Sequence, residues 1–271
     1  MKKIIVLFFV LFLSFSVLSK TTLAAESQYN IDFSKSGQGI VRILYKSEKD
    51  VKVKLMIIKG KEKYTYNLKS NEEYINFPLQ LGNGKYVVNI YENTTGKKYK
   101  KVFCNSADVN ITDNNQVFLN SVQSIEWNNN DEAIKLATNI IKDNIELSDR
   151  DKVTAIYQYI VKNISYDNKK AENLKYDYLP NIDSTLKSGT GICYDYASLL
   201  ASMLRSASIP TKLVKGYSAH TDVYHAWNEI YIADENKWIV VDATYDAFLY
   251  NNNKKYSLEK KASEYKSAKE Y

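Results

Sequence analysis

The sequence has 271 residues, 45% of them hydrophobic and 25% charged, which is the balance of a globular protein and excludes fibrous, collagen-like and wholly disordered chains. Three prolines and nine glycines leave no room for long low-complexity linkers, and at roughly 100–200 residues per domain the length holds one large domain or two modest ones. The formal net charge of +6 is smaller in effect than in number, because of where the lysines fall.

The chain opens on Met1-Lys2-Lys3, an apolar run over 4–17 broken by Ser14 and Ser16, and the small residues of Thr22-Leu23-Ala24-Ala25. That is the pattern of a secretory signal peptide, placed over 1–25. The run is shorter than the about 20 apolar residues of a permanent span, and no Cys stands near the cut for lipid attachment. The mature protein is therefore expected to be secreted or cell-surface associated, with no membrane contact once the leader is removed. Loss of Lys2, Lys3 and Lys20 leaves +3, all of it supplied by the six Lys and three Glu of 251–271. Elsewhere Lys alternates with Glu and Asp, a solvated surface rather than the basic face of a nucleic-acid binder, so no nucleic-acid partner is expected.

Over 26–110 the sequence predicts strands at 40–45, 51–55, 85–91 and 98–104, with turns at Gly82-Asn83-Gly84 and Asn93-Thr94-Thr95-Gly96. Short β-branched and aromatic runs punctuated in this way predict an antiparallel β-sandwich. It contains no His and is expected to be an accessory domain that docks on a cell-surface polymer or a protein, or serves as a spacer. Cys104, near the end of its last strand, is expected to be a small hydrophobic residue without chemistry.

A second pattern occupies 111–250. Ile134, Ala137, Ile141 and Ile145 recur at helical spacing over 131–146. Ser148 or Asp149 caps a second helix with Val153, Ile156, Tyr157, Ile160, Val161 and Ile164 on one stripe. A loop runs through Pro180, and Ser188-Gly189-Thr190-Gly191-Ile192-Cys193 leads into a third helix ending near Arg205. Strands are expected at 212–217, 225–232 and 237–244. Helices followed by antiparallel strands make this an α+β domain. The Lys-rich tail over 251–271 is expected to be a mobile or helical surface segment.

The chemistry converges on one thiol. Cys193 falls in the first turn of the third helix, where unpaired N–H groups and the helix dipole favour a thiolate and can stabilise an oxyanion. Gly189 and Gly191 would let a substrate backbone approach the sulfur; the plainer alternative is a core cysteine behind a glycine turn. The base must be His220 or His225, the only two histidines. If a hairpin at Ala233-Asp234-Glu235-Asn236 sets Ile232 opposite Lys237, then His225 faces Thr244 and Trp227 faces Asp242. His225, Trp227 and Asp242 then share one face of the sheet. Asp242 becomes a diagonal neighbour able to orient the imidazole, while the imidazole takes the thiol proton. His220 lies in a polar connection. Cys193 is expected to carry no disulfide to Cys104.

The segments Gly191-Ile192-Cys193-Tyr194-Asp195-Tyr196-Ala197, Leu204-Arg205, Ile209-Pro210, Gly216-Tyr217, His225-Ala226-Trp227 and Trp238-Ile239-Val240-Val241-Asp242-Ala243-Thr244, in that order, resemble the transglutaminase-like superfamily over about 188–246. The resemblance implies a papain-like α+β core with Cys193 as nucleophile, His225 as base and Asp242 as orienting acid, with Trp227 as aromatic neighbour of the His. It implies an exported cysteine acyltransferase acting through a thioester on protein or peptide amides, of the protein-glutamine γ-glutamyltransferase type. The alternatives are a peptidase or amidase using water, or a surface binding protein without activity. Animal members carry a Trp upstream of the Cys as a second oxyanion donor; Trp127 lies before the helices, and Tyr166 is a candidate in its place. Gly191 and Trp227 are further candidates for oxyanion or substrate contact. With no EF-hand-like acidic loop and no Cys/His ligand cluster, no calcium, zinc or other cofactor is expected.

Overall fold

The computed structural model describes residues 28–271 except residue 49 and residues 143–147. The leader expected over 1–25 and the end of the first expected helix, with Ile145, lie outside the described residues. Strands β1 (Gln28–Asp32), β2 (Ile40–Lys46), β3 (Val53–Lys59), β4 (Glu62–Leu68), β5 (Ile75–Pro78), β6 (Gly84–Thr95) and β7 (Lys98–Val109) form two antiparallel sheets, ordered β1-β2-β5 and β4-β3-β6-β7. Alternation builds the sandwich: Val41, Ile43 and Tyr45 of β2, Val53, Leu55 and Ile57 of β3, and Tyr86, Val88 and Ile90 of β6 all point into one core. Strands β1, β4 and β5 add to the four runs read from the sequence. Cys104 pairs with Asn89 across β6 and β7 and is exposed, which corrects its expected place as a buried small hydrophobe.

The connection after β7 is not free chain. Val117 and Phe118 sit in the sandwich core, whereas Val122 and Ile125 join Ile192, Tyr194, Leu213 and Ala226 in another. The helical part follows: α1 (Glu132–Lys142), α2 (Asp149–Asn163), the two-residue β8 (Ser165–Tyr166), α3 (Asn168–Glu172), α4 (Ile182–Ser188), the two-residue β9 (Thr190–Gly191) and α5 (Cys193–Ser206). Ser148 is the cap of α2, its side chain accepting from Asp151 N–H. Every residue of α5 from Tyr194 to Arg205 is buried, so this is the central helix of the α+β core. It packs against the sheet β12-β11-β10-β13, made of β10 (Thr211–Ser218), β11 (Thr221–Ile232), β12 (Lys237–Val241) and β13 (Tyr265–Glu270). Between β12 and β13 lies α6 (Ala243–Asn251).

Three expectations change. The stretch expected as a loop through Pro180 contains α3, and α4 follows directly after it, each begun by a side-chain cap, from Asp167 and Asn181 respectively. The strand expected over 237–244 stops at Val241, because Asp242 accepts the Tyr245 N–H and opens α6. The tail over 251–271 is not a mobile or helical surface segment: 265–270 is the strand that closes one side of the sheet, antiparallel to β10. Its Lys266, Ser267 and Lys269 suit an edge strand with one face in water, and local sequence does not distinguish that from a solvated tail.

Docking of β13 depends on Gly216. A Cβ there would lie 2.1 Å from the Lys266 carbonyl oxygen and 2.8 Å from the Trp227 ring. Neither backbone nor indole can retreat without breaking the pairing. Gly216→Ala is therefore expected to destabilise the protein by about 1–3 kcal/mol or more and to release β13. Thermal unfolding together with amide exchange over 265–270 checks both effects.

Candidate active site

Cys193 is the first residue of α5, after Ile192 in extended conformation. Here the helix presents N–H groups without intrahelical partners and the positive end of its dipole. The turn is held from beneath by Asp195, whose fully buried carboxylate accepts the Ile192 N–H at 2.8 Å, the Lys170 ammonium at 2.6 Å and the Tyr178 hydroxyl at 2.5 Å. It thereby ties the α3 segment and the chain before α4 to the cysteine. Gly191 serves this packing rather than substrate approach. A Cβ on it would meet Asp195 Cβ at 2.8 Å and Thr185 Cγ2 at 3.2 Å, and the residue is buried, so it is corrected from a substrate contact to a close-packing glycine. Gly189, at φ 64°, terminates α4 in the left-handed region.

The parallel pairing of β8 with β9 sets Tyr166 opposite Gly191, beside Cys193. Half exposed, Tyr166 lines a cavity of about 350 Å³ together with Cys193, His225 and Asp242. Trp127 is not among the residues lining it. Val223, Tyr224 and Phe248 form an exposed apolar rim, and Thr244 and Tyr245 of α6 complete the wall.

His225 lies opposite Gly216 in β11 and is buried. The expected register is present, with Ile232 opposite Lys237 and Asn228 opposite Val241, which puts Asp242 on the His225 face. Pairing ends there, so the expected Trp227–Asp242 and His225–Thr244 pairs do not form; Asp242 instead meets the ring across the strand end. His225 Nε2 and Asp242 Oδ2 are 2.8 Å apart, and Cys193 lines the same cavity as the ring. Burial opposes charge on His225, but the hydrogen bonds and negative charges of Asp242 and Cys193 outweigh it and raise the imidazolium to about 10. Both cysteines are free thiols. The arrangement is that of a thiol, a base and an orienting acid, able to generate a thiolate–imidazolium pair beside N–H groups that can receive an oxyanion.

Trp227 is almost fully buried, stacked at 6.3 Å on His225 and 5.1 Å from the Tyr265 ring. It positions the imidazole and lines none of the cavity, so its candidacy as a substrate contact is corrected to packing. His220 is held away from Asp242: it stacks on Tyr245 at 4.1 Å, with Nε2 3.1 Å from Glu264, at the cavity edge.

Sequence reasoning missed two neighbours. Tyr265 Oη donates to Asp242 Oδ2 at 3.0 Å, from the stretch read as tail. The Lys215 ammonium lies 3.4 Å from the centre of the Tyr194 ring; burial lowers it to about 8, with the negative charge of Cys193 acting the other way. The β-strand pattern flagged Lys215 as a strand residue but gave no sign of its burial. Among the described residues no group of three or more His, Cys, Asp or Glu is placed to hold a metal ion, and no helix is long and apolar enough to cross a membrane.

Residues 135–243 match the family model of the transglutaminase-like superfamily. No curated protein matches the chain. Among solved structures, one described as a TGase aligns at 23% identity and a TM-score of 0.34, over 41% of this chain and 31% of that one. A cysteine-protease candidate from Cytophaga hutchinsonii aligns at 20% identity and a TM-score of 0.41, over 71% of each chain. Red sea bream transglutaminase aligns at 13% identity and a TM-score of 0.32, over 76% of this chain and 48% of that one. The chain thus spans about a third of the first structure's length and about half of the last.

Because Asp242 is one of the groups that raise His225, Asp242→Asn is expected to move the imidazolium from about 10 back towards its ordinary 6.5. The sign follows from the charge: with the pair intact the imidazolium persists below about pH 10 and is lost as pH rises through that value. An NMR titration of the His225 ring in both proteins measures the displacement.

Proposed function

With residues 135–243 matching the family model of the transglutaminase-like superfamily, we propose that the protein is a cysteine acyltransferase that takes the acyl group of a glutamine-type amide in a protein or peptide and passes it to a primary amine. The observation that carries this reading is the convergence of Cys193, His225 and Asp242 at one cavity. In the first half-reaction the Cys193 thiolate attacks the amide carbonyl, and the oxyanion develops against the N–H groups of the first turn of α5. The His225 imidazolium gives its proton to the departing nitrogen, ammonia leaves and a thioester remains. In the second half-reaction neutral His225 takes a proton from the incoming amine, which attacks the thioester and restores the thiol. Asp242 keeps the ring in place and offsets its charge throughout. Tyr166, beside the sulfur, is the side-chain candidate for the second oxyanion donor.

The exposed rim of Val223, Tyr224 and Phe248 favours a second outcome of the same chemistry. An open mouth admits water, so without an amine the thioester hydrolyses and the net reaction is deamidation. The proposal extends to place and partner: the leader exports the chain, and the β-sandwich holds the enzyme against a cell-surface polymer or a protein.

The test is mass spectrometry of a glutamine-containing protein incubated with the mature enzyme, with and without a primary amine. Amine incorporation at Gln is expected when amine is present and deamidation when it is absent. Cys193→Ala is expected to lower both by on the order of 10³-fold or more while the far-UV circular dichroism stays that of the parent. Backbone cleavage products in place of these would assign a peptidase instead, and unchanged products from Cys193→Ala would remove the thiol from the reaction.

A further inference from the structure

Asp242 Oδ2 receives two hydrogen bonds, and the second comes from outside the sequence segments that carry the triad. His225 Nε2 is at 2.8 Å and Tyr265 Oη at 3.0 Å, while Oδ1 is occupied by the Tyr245 N–H at 3.0 Å. Tyr265 is the first residue of β13, set opposite Ser218 of β10. Its ring packs on Trp227, with centroids 5.1 Å apart, and against His220 at 5.7 Å. We propose that Tyr265 is a positioning residue of the acyl-transfer site, its hydroxyl fixing the Asp242 oxygen that holds His225. This rests on the reading of Cys193, His225 and Asp242 as the reacting set and goes beyond it by giving the C-terminal strand a part in the chemistry.

A carboxylate anchored through Oδ1 alone can still swing its other oxygen away from the imidazole. A donor on Oδ2 that arrives from a different strand removes that freedom. The phenol suits the task because burial, and then the negative charge of Asp242, push its ionisation well above the ordinary range, so it donates throughout the working pH. The other titratable groups around the pair include Cys193 of α5, Tyr157 of α2, Asp246 of α6 with its partner Lys260, His220 in the turn between β10 and β11, and Glu264 in the turn before β13. Of these, Cys193 shares the cavity with His225, and its negative charge favours the imidazolium. The Tyr265 hydroxyl also draws negative charge from Oδ2, so its loss leaves His225 facing a fuller charge and holding its proton to higher pH.

The experiment compares the full mature chain with Tyr265→Phe, which keeps the ring on Trp227, and with Asp242→Asn. Two readouts are taken: amine-incorporation kinetics, and the pH profile of Cys193 alkylation by iodoacetamide, which needs no substrate. Tyr265→Phe is expected to lower kcat about tenfold, or ~1.4 kcal/mol, with KM unchanged, and to displace the alkaline limb of the alkylation profile upward. Site-specific 3-fluorotyrosine at Tyr265, a stronger donor with the same ring, is expected to displace it downward. Wild-type kcat and an unmoved limb in Tyr265→Phe, with both altered in Asp242→Asn, would overturn the role of Tyr265 and leave the triad standing. If Asp242→Asn also matches the parent, or Cys193 reacts no faster than Cys104, the triad reading itself fails and the role of Tyr265 with it.

Discussion

A buried carboxylate at the junction of β12 and α6 is the constraint on which this structure turns. Asp242 has no exposed surface, and each of its contacts comes from a different part of the chain. One oxygen begins α6 by accepting the Tyr245 N–H; the other meets His225 of β11 and Tyr265 of β13. Leaving such a group without partners costs about 3–5 kcal/mol, so the strand end, the helix start and the C-terminal strand have to be correct together. The Asp242 carboxylate raises His225 while its other contacts hold it in place against the ring, so folding and the protonation of His225 draw on one set of hydrogen bonds.

The cysteine side of the cavity is organised by a second buried acid. Asp195 accepts from the backbone before Cys193 and from Lys170 and Tyr178. It thus fixes the N-terminus of α5 to segments that carry Tyr166 and the cavity wall. Gly191 must be a glycine because Asp195 presses against it, and Gly216 because β13 presses against β10. At Gly191 the missing side chain admits the side chains of Asp195 and Thr185, and at Gly216 it admits the backbone of β13. The β-sandwich is joined to this core through the C-terminal strand: the Glu270 carbonyl accepts from Gln80, and Tyr271 packs on Tyr64 and Tyr66.

Much of this was legible because it is local. Ser148 and the spacing after it fix α2, and alternation in 225–232 and 237–241 with a four-residue turn fixes the β11–β12 register. That register alone places Asp242 on the His225 face, so the nearness of these two side chains could be read from the sequence. What escaped was non-local. Whether 237–244 stays a strand was decided by Asp242 capping a helix, and cap against strand residue is a choice made by the His225 and Tyr265 contacts. The role of Gly191 was misread because a glycine before a nucleophile permits either a substrate or a neighbouring side chain, and Asp195 lies four residues further on. Trp227 follows the same logic: a tryptophan two residues from the base reads equally as rim or as packing. Tyr265 was invisible, since 251–271 has the composition of a solvated tail and gains its structure from a strand some 50 residues earlier.

The central claim is that Cys193 becomes acylated in turnover. Rapid acid quench of the protein with a glutamine peptide, followed by intact-mass analysis and fragment mapping, tests it most directly. The account predicts a peptide adduct on Cys193, formed with loss of ammonia, that accumulates before product and disappears on addition of a primary amine. Product formation with no adduct on Cys193 at any quench time, or an adduct mapped to Cys104, would contradict it.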